Sequence, residues 1–127
     1  MTQSKKSKPS AKLKMSEMIL KMAEDFLAVG DSIAERQNRL NAACTAWNLA
    51  CGSPLVRRQK LAQYRESYLR FNPGTSLTNL ASILKDMELL LEPKIQLFPD
   101  DERQIVDARV VKNGNKFRIE VASATLH

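Results

Sequence analysis

The periodicity of the apolar residues changes once along this chain, and that change limits the fold more than any other feature. Up to Pro99 the apolar residues recur every three or four positions, which is the spacing of one face of an α-helix. After residue 103 they alternate with polar residues, as in a strand with one buried face. The sequence therefore predicts an α+β fold, mainly α, in which the helices come first and the strands last.

The first apolar stripe covers residues 16–51 and is compatible with one helix or with two. The stripe keeps its phase through Gly30, with only Gln37 out of place, which favours one continuous helix. Ser32 followed three residues later by Glu35 is the pattern of a capping box, which favours a break after Gly30. We take the continuous helix as the preferred prediction and the broken helix as its alternative.

Two further helices are predicted between proline and glycine residues. One covers residues 54–71 and has Pro54 at its first position, where a missing N–H costs nothing. The other covers residues 76–91, and its apolar residues occupy close to half of its circumference, so we expect it to be the most buried helix. Pro93 is expected to kink this last helix, with an extension to residue 98.

The last segment, about residues 104–124, is predicted to be an antiparallel β-hairpin. Asn113-Gly114 is a strong short-range signal for a tight turn between strands. With these two residues in the turn, one face of the hairpin is apolar throughout and should lie on the helices, because a lone hairpin is barely stable in water. The cross-strand pairs predicted on that face are Val110 with Phe117, Ala108 with Ile119, and Val106 with Val121.

The opposite face of the predicted hairpin carries charged side chains and is a candidate interaction surface. Its members are Asp107, Arg109, Arg118 and Glu120. In the predicted register like charges face each other directly, while opposite charges lie on the diagonals, where they can pair. The hairpin also has two edges, and an unpaired edge is a potential site for strand addition by another chain.

The net charge of +6 is concentrated at one end of the chain. Residues 1–14 contain five lysines and no acid, whereas residues 15–127 carry 15 basic and 14 acidic side chains. We expect residues 1–14 to be a disordered basic tail and residues 15–127 to form a single domain. Phosphate contacts, if the protein binds nucleic acid, are expected from the tail and from the second predicted helix. The candidates are Lys5, Lys6, Lys8, Lys12, Lys14, Arg57, Arg58 and Arg65.

The residue patterns of most enzyme classes are missing. The only histidine is His127, and the four glycines are isolated, so that no phosphate loop is present. A Mg²⁺-dependent nuclease using Asp100, Asp107 and Glu120 is the one catalytic pattern to weigh, since such sites need two or three converging carboxylates. No acid-x-lysine pattern follows these residues. We therefore expect neither an enzyme nor a cofactor or metal site.

Cys44 and Cys51 are expected to be buried, unreactive thiols. Seven positions apart on one helix, their Cα atoms would be separated by about 10 Å, which exceeds the ~7 Å limit for a disulfide. The chain also contains no apolar run of the roughly 18 to 20 residues that spans a membrane, and no signal-peptide pattern. We expect a cytoplasmic protein.

These features favour a small non-enzymatic interaction protein, an adaptor or accessory that binds a protein partner or a second copy through its helical and hairpin surfaces. The stripe over residues 16–51 would extend about 50 Å as a straight helix, which is more than a domain of this size easily covers from within. The alternative is an accessory nucleic-acid-binding protein whose lysine-rich arm makes sequence-independent phosphate contacts.

Overall fold

The computed structural model describes residues 13–124, which form four helices and one β-hairpin. The elements are α1 (Met15–Leu27), α2 (Ile33–Ala50), α3 (Pro54–Phe71), α4 (Leu77–Leu97), β1 (Gln104–Asn113) and β2 (Lys116–Ala124). The two strands are antiparallel. The predicted α+β, mainly α fold is thus confirmed. Of the predicted tail, residues 1–12 lie outside the described part of the chain.

The stripe over residues 16–51 forms two helices, so the preferred prediction of one continuous helix is wrong. Gly30 has a φ of +126°, in the left-handed region that residues with a side chain rarely adopt. Ser32 then caps α2, because its Oγ accepts a hydrogen bond from the backbone N–H of Glu35 at 3.1 Å. Gly30 and the capping Ser32 therefore determine where the helix breaks, although the apolar stripe keeps its phase across the break.

Arginines of α2 hold the end of α1. Arg39 Nη1 donates to the carbonyl oxygen of Phe26 in the last turn of α1 at 3.1 Å, and Arg36 Nε donates to that of Gly30 in the following linker at 3.0 Å. Carbonyl groups at a helix C-terminus lack partners within the helix and carry partial negative charge, so cations are stabilising there. The two helices are joined by these contacts in addition to their apolar packing.

The core is centred on α1 and α2. Ile19, Leu40 and Trp47 are fully buried, and the inner face of the hairpin packs against the same cluster. The prediction that α4 is the most buried helix is wrong. Its buried residues are Leu80, Met87 and Lys94, whereas Leu77 is 79% exposed.

The extension of α4 is confirmed, since the helix continues through Pro93 to Leu97. The start of α3 is also confirmed, with Ser53 Oγ accepting from the N–H of Val56 and Pro54 in the first turn. None of the residues of α3 is buried. Phe71, the last residue of the helix, is 77% exposed.

The hairpin register differs from the predicted one by two residues. Asn113 pairs with Lys116, so that Gly114 and Asn115 occupy the turn. Gly114 has a φ of +66°, and glycine in the first central position suits a type II′ turn. Val110 consequently lies opposite Ile119 and not Phe117. Because the shift is an even number of residues, it keeps side chains on their predicted faces.

A β-bulge at Val106 changes one position of the predicted apolar face. The register is interrupted between Ile105 and Asp107, and Val106 is 64% exposed instead of facing Val121. A bulge inserts one extra residue and so reverses the alternation of side chains beyond it. Ile105, 8% exposed, takes the core position in its place.

Two amide side chains of α2 bind the outer edge of β1. Gln37 Nε2 donates to the carbonyl oxygen of Ala108 at 3.0 Å, and Gln37 Oε1 accepts from the N–H of Val110 at 2.8 Å. Asn48 makes the same pair of bonds with both backbone groups of Ile105, at 3.0 and 2.8 Å. Gln37, the residue out of phase in the apolar stripe, thus has a structural role on the hairpin.

Candidate protein-interaction surfaces

An open apolar groove runs along one side of α4. A hollow of about 490 Å³ with mainly apolar walls lies over the middle of the helix, and a second hollow of about 410 Å³, whose walls are as polar as they are apolar, adjoins it toward Pro93. Phe26, Leu89 and Leu90 belong to the walls of both hollows, so the two adjoin each other. We call them together the α4 groove. Its remaining apolar walls are Met22, Ala23, Ala42, Tyr64, Ile83, Met87 and Pro93.

The groove is open because α3 does not close over it. α3 packs on α2, and its Leu61 and Tyr64 side chains reach the core only in part. Leu89 remains 64% exposed in the wall of the first hollow, to which Phe26 and Tyr64 also belong. An exposed apolar side chain is ordinary by itself, but one among other apolar side chains in the wall of a groove marks a surface suited to binding.

The rim of the α4 groove is mainly acidic. Asp86 borders the first hollow, and Lys21, Glu24 and Asp25 border the second. Three carboxylates and one ammonium group therefore surround the apolar floor. Such a rim attracts cationic groups through its local potential.

The charged face of the hairpin forms ion pairs within the chain. Arg109 Nε lies 3.2 Å from Glu120 Oε1, and Arg118 Nη2 lies 3.0 Å from Glu120 Oε2. The observed register sets Arg109 directly opposite Glu120, in place of the predicted like-charge opposition. Asp107 lies opposite Ala122, is exposed, and forms no ion pair with any residue of the described chain.

The three carboxylates considered for a nuclease site lie in three different parts of the fold. Asp100 is in the turn after α4, Asp107 is on β1 and Glu120 is on β2, where two arginines bind it. Within residues 13–124, no three side chains of Cys, Asp, Glu or His come together in a group able to hold a metal ion. The absence of enzymatic activity stays a prediction.

The candidate phosphate contacts fall into three groups. Lys5, Lys6, Lys8 and Lys12 lie outside the described residues. Arg57 is engaged within the protein, because its Nη1 donates to the carbonyl oxygen of Gly52 at 2.7 Å. Lys14, Arg58 and Arg65 are exposed and keep their charged groups in solvent.

Lys94, the most deeply buried charged residue within positions 13–124, was not identified from the sequence. Lys94 is 1% exposed, its Nζ donates to the carbonyl oxygen of Asp101 at 2.6 Å, and the amine lies 5.0 Å from the centre of the Trp47 ring. These contacts fix the end of α4 against α2 and the loop that leads to β1. Pro93 directly before it was the only local signal of an unusual position.

Both cysteines are buried and free, which confirms their predicted burial. Burial raises the pKa of the Cys44 thiol to about 12. Burial also raises the pKa of Cys51, with the positive charge of Lys94 opposing the rise. A thiol with a raised pKa carries little thiolate and is a poor nucleophile. This environment is that of a structural cysteine.

Comparisons with protein-family models, with curated proteins and with solved structures found no match to this chain. The surfaces described above are therefore the basis for inferring its function. Across residues 13–124, each helix is too short or too polar to span a lipid bilayer.

Proposed function

We propose that this protein is a small, non-enzymatic interaction protein of the cytoplasm, an adaptor or accessory that binds a partner protein in the α4 groove. The observation that carries the proposal is Leu89, 64% exposed where the two hollows of the α4 groove adjoin. The two buried, free thiols support a cytoplasmic location, since disulfides are rare in the cytosol.

The dimensions of the groove suit an amphipathic helix of the partner. From Ile83 to Pro93 the groove follows ten residue steps of α4, or about 15 Å at the helical rise. An apolar helix face binds such a groove through anchors at positions i, i+3 or i+4, and i+7, which extend over a similar length. Two or three apolar side chains of the partner would contact Leu89 and its neighbours.

The acidic rim specifies the charge of that partner helix. Glu24, Asp25 and Asp86 outnumber Lys21 around the floor. Lysine or arginine residues flanking the apolar face of the partner would pair with these carboxylates and speed association at low salt. We therefore expect a partner segment that is amphipathic and basic.

Leu89→Asp tests the proposal because the side chain is exposed and its loss leaves the core unchanged. Leu97→Asp is the matched control, since Leu97 is also exposed on α4 but lies outside the groove walls. The two variants and the unmodified chain serve as baits in cell extract, with bound proteins identified by mass spectrometry. A partner retained by the unmodified chain and by Leu97→Asp, and lost with Leu89→Asp, is expected. Equal retention by both variants contradicts the assignment of the groove.

The arginines of α3 favour a second candidate, an accessory role in nucleic-acid binding. Residues 54–71 contain five basic side chains and one acid, and Arg58 and Arg65 lie exposed seven positions apart on one face. Together with the lysines of residues 1–12 they would contact phosphates without reading sequence. Removal of residues 1–12 should then weaken binding to duplex DNA and reduce its salt dependence, with the helices of residues 13–124 retained. Full-strength binding by the truncated chain would place the site elsewhere.

A further inference from the structure

The two edges of the hairpin differ in their coverage. The outer edge of β1 is bound by Gln37 and Asn48 of α2. Among residues 13–124, nothing hydrogen-bonds to the backbone along the outer edge of β2. An edge with free N–H and C=O groups is a template for another strand.

The β1 contacts show which residues of β2 direct their backbone groups outward. In an antiparallel pair, residues that bond across the ladder alternate with residues whose groups point away from it. Ala108 and Val110 point away from the ladder, because both bond to Gln37. Their cross-strand partners, Val121 and Ile119, therefore also point their N–H and C=O groups away, toward the open edge of β2.

An apolar hollow lies directly beside this edge. It measures about 310 Å³ and is bordered by Leu20 and Leu27 of α1 and by Phe117 and Ile119 of β2. Leu20 is 41% exposed there. A strand added to β2 would place its inward side chains over this hollow, since residues opposite each other in a sheet share a face.

We propose that a second copy of this chain occupies the edge, with β2 pairing antiparallel to β2 about a twofold axis at Ile119. Hydrogen bonding requires outward-pointing residues to face each other across the new ladder. With Ile119 opposite Ile119, Phe117 lies opposite Val121 of the second copy, and these are all outward-pointing positions. The result is a continuous four-stranded sheet whose apolar face covers both α1 helices.

The charges on the solvent face select this register over its neighbours. With Ile119 on the axis, Arg118 faces Glu120 of the second copy, and the twofold symmetry forms that pair twice. A shift of two residues in one direction sets Arg118 against Arg118. The same shift in the other direction sets Glu120 against Glu120. Opposite charges across a ladder are stabilising and like charges are destabilising, so the central register is preferred.

This inference goes beyond the proposed function, because the β2 edge and the α4 groove are different surfaces on either side of α1. The β2 edge of a second copy offers the same spacing of outward N–H and C=O groups. Arg118 of each copy would also face Glu120 of the other. A partner peptide would need to supply both the strand and the matching charges. Failure of either proposal leaves the other intact.

Two charge variants, measured separately and then mixed, test the dimer. Arg118→Glu makes both positions acidic, and Glu120→Arg makes both basic, so each variant sets like charges against each other in its own homodimer. Sedimentation equilibrium should show the unmodified chain rising to twice its monomer mass with concentration. Each variant alone should dissociate with a Kd higher by about tenfold or more. An equimolar mixture should recover the dimer, because acid then faces base at every pair.

Recovery in the mixture distinguishes a lost contact from a misfolded variant, since misfolded chains would not complement each other. Leu89→Asp serves as a control and should dimerise like the unmodified chain. An unmodified chain that stays at monomer mass overturns the proposal. So do variants that dimerise as well as the unmodified chain, a mixture that fails to associate, or loss of the dimer in Leu89→Asp.

Discussion

Asn48 of α2 binds both backbone groups of Ile105 at the start of β1. Its Nδ2 donates to the carbonyl oxygen at 3.0 Å, and its Oδ1 accepts from the N–H at 2.8 Å. Asn48→Ala removes both bonds and leaves the backbone of a buried residue unsatisfied, so we expect a loss of about 2 to 4 kcal/mol of unfolding free energy. Urea denaturation measures it, with Asn38→Ala on the exposed side of α2 as the control. Equal effects of the two substitutions would contradict this role of Asn48.

Gln37 protects the middle of the β1 edge in the same way. Gln37→Ala removes the acceptor of the Val110 N–H and the donor to Ala108. We expect faster hydrogen exchange at the Val110 amide, because local opening no longer breaks a hydrogen bond. Exchange followed by NMR is the measurement, and the exposed Gln59→Ala variant should leave that amide protected. Unchanged exchange at Val110 in Gln37→Ala would show that the bond contributes nothing.

Gly30 is required by the backbone between α1 and α2. A Cβ at this position would lie 3.2 Å from the Cβ of Glu35, and its φ of +126° is strained for any residue with a side chain. Gly30→Ala should therefore cost about 1 to 3 kcal/mol of stability. Gly74→Ala is the matched control, since nothing lies within 4 Å of its added Cβ and its φ is outside the strained region. Thermal unfolding should separate the two, with Gly74→Ala neutral or slightly stabilising.

The stability of the protein should fall at alkaline pH through Cys44. Burial raises its pKa from 9.0 to about 12, so the folded state keeps a proton that the unfolded chain releases between those values. The contribution is complete below pH 9.0 and is lost as the pH rises through that window. Urea unfolding below and above pH 9.0 should show a smaller decline in Cys44→Ala than in the unmodified chain. Parallel declines would mean that Cys44 is not the titrating group.

Local signals in the sequence predicted the element types well. Pro54 and the turn residues around positions 72–75 set the limits of α3, and the alternation after residue 103 gave the hairpin. The register was missed because Asn113-Gly114-Asn115 allows a two-residue turn in two placements. Both placements leave the same side chains on the apolar face, so the pattern of alternation does not distinguish them.

The sites depended on tertiary contacts that the apolar pattern does not contain. The apolar pattern of α4 identifies its apolar residues. Whether a neighbouring helix covers them depends on the position of α3 in the fold. The charged hairpin residues were named from the sequence, whereas the α4 groove was not. Leu89 lies outside the stripe that defined the helix, and the consecutive Leu89-Leu90-Leu91 was the available signal. Three successive leucines extend beyond one helix face and therefore require more than one neighbour.

The hydrogen bonds between α2 and β1 form late when the chain folds during its synthesis. Asn48 and Gln37 reach partners that follow them by 57 to 73 positions, so they form only after β1 has left the ribosome. Until then Trp47, which donates from Nε1 to the carbonyl oxygen of Arg103, has neither that acceptor nor its covering loop. During synthesis the helices of the nascent chain therefore expose apolar side chains that the β1 segment later covers. A chaperone that binds exposed apolar surface would act in that interval.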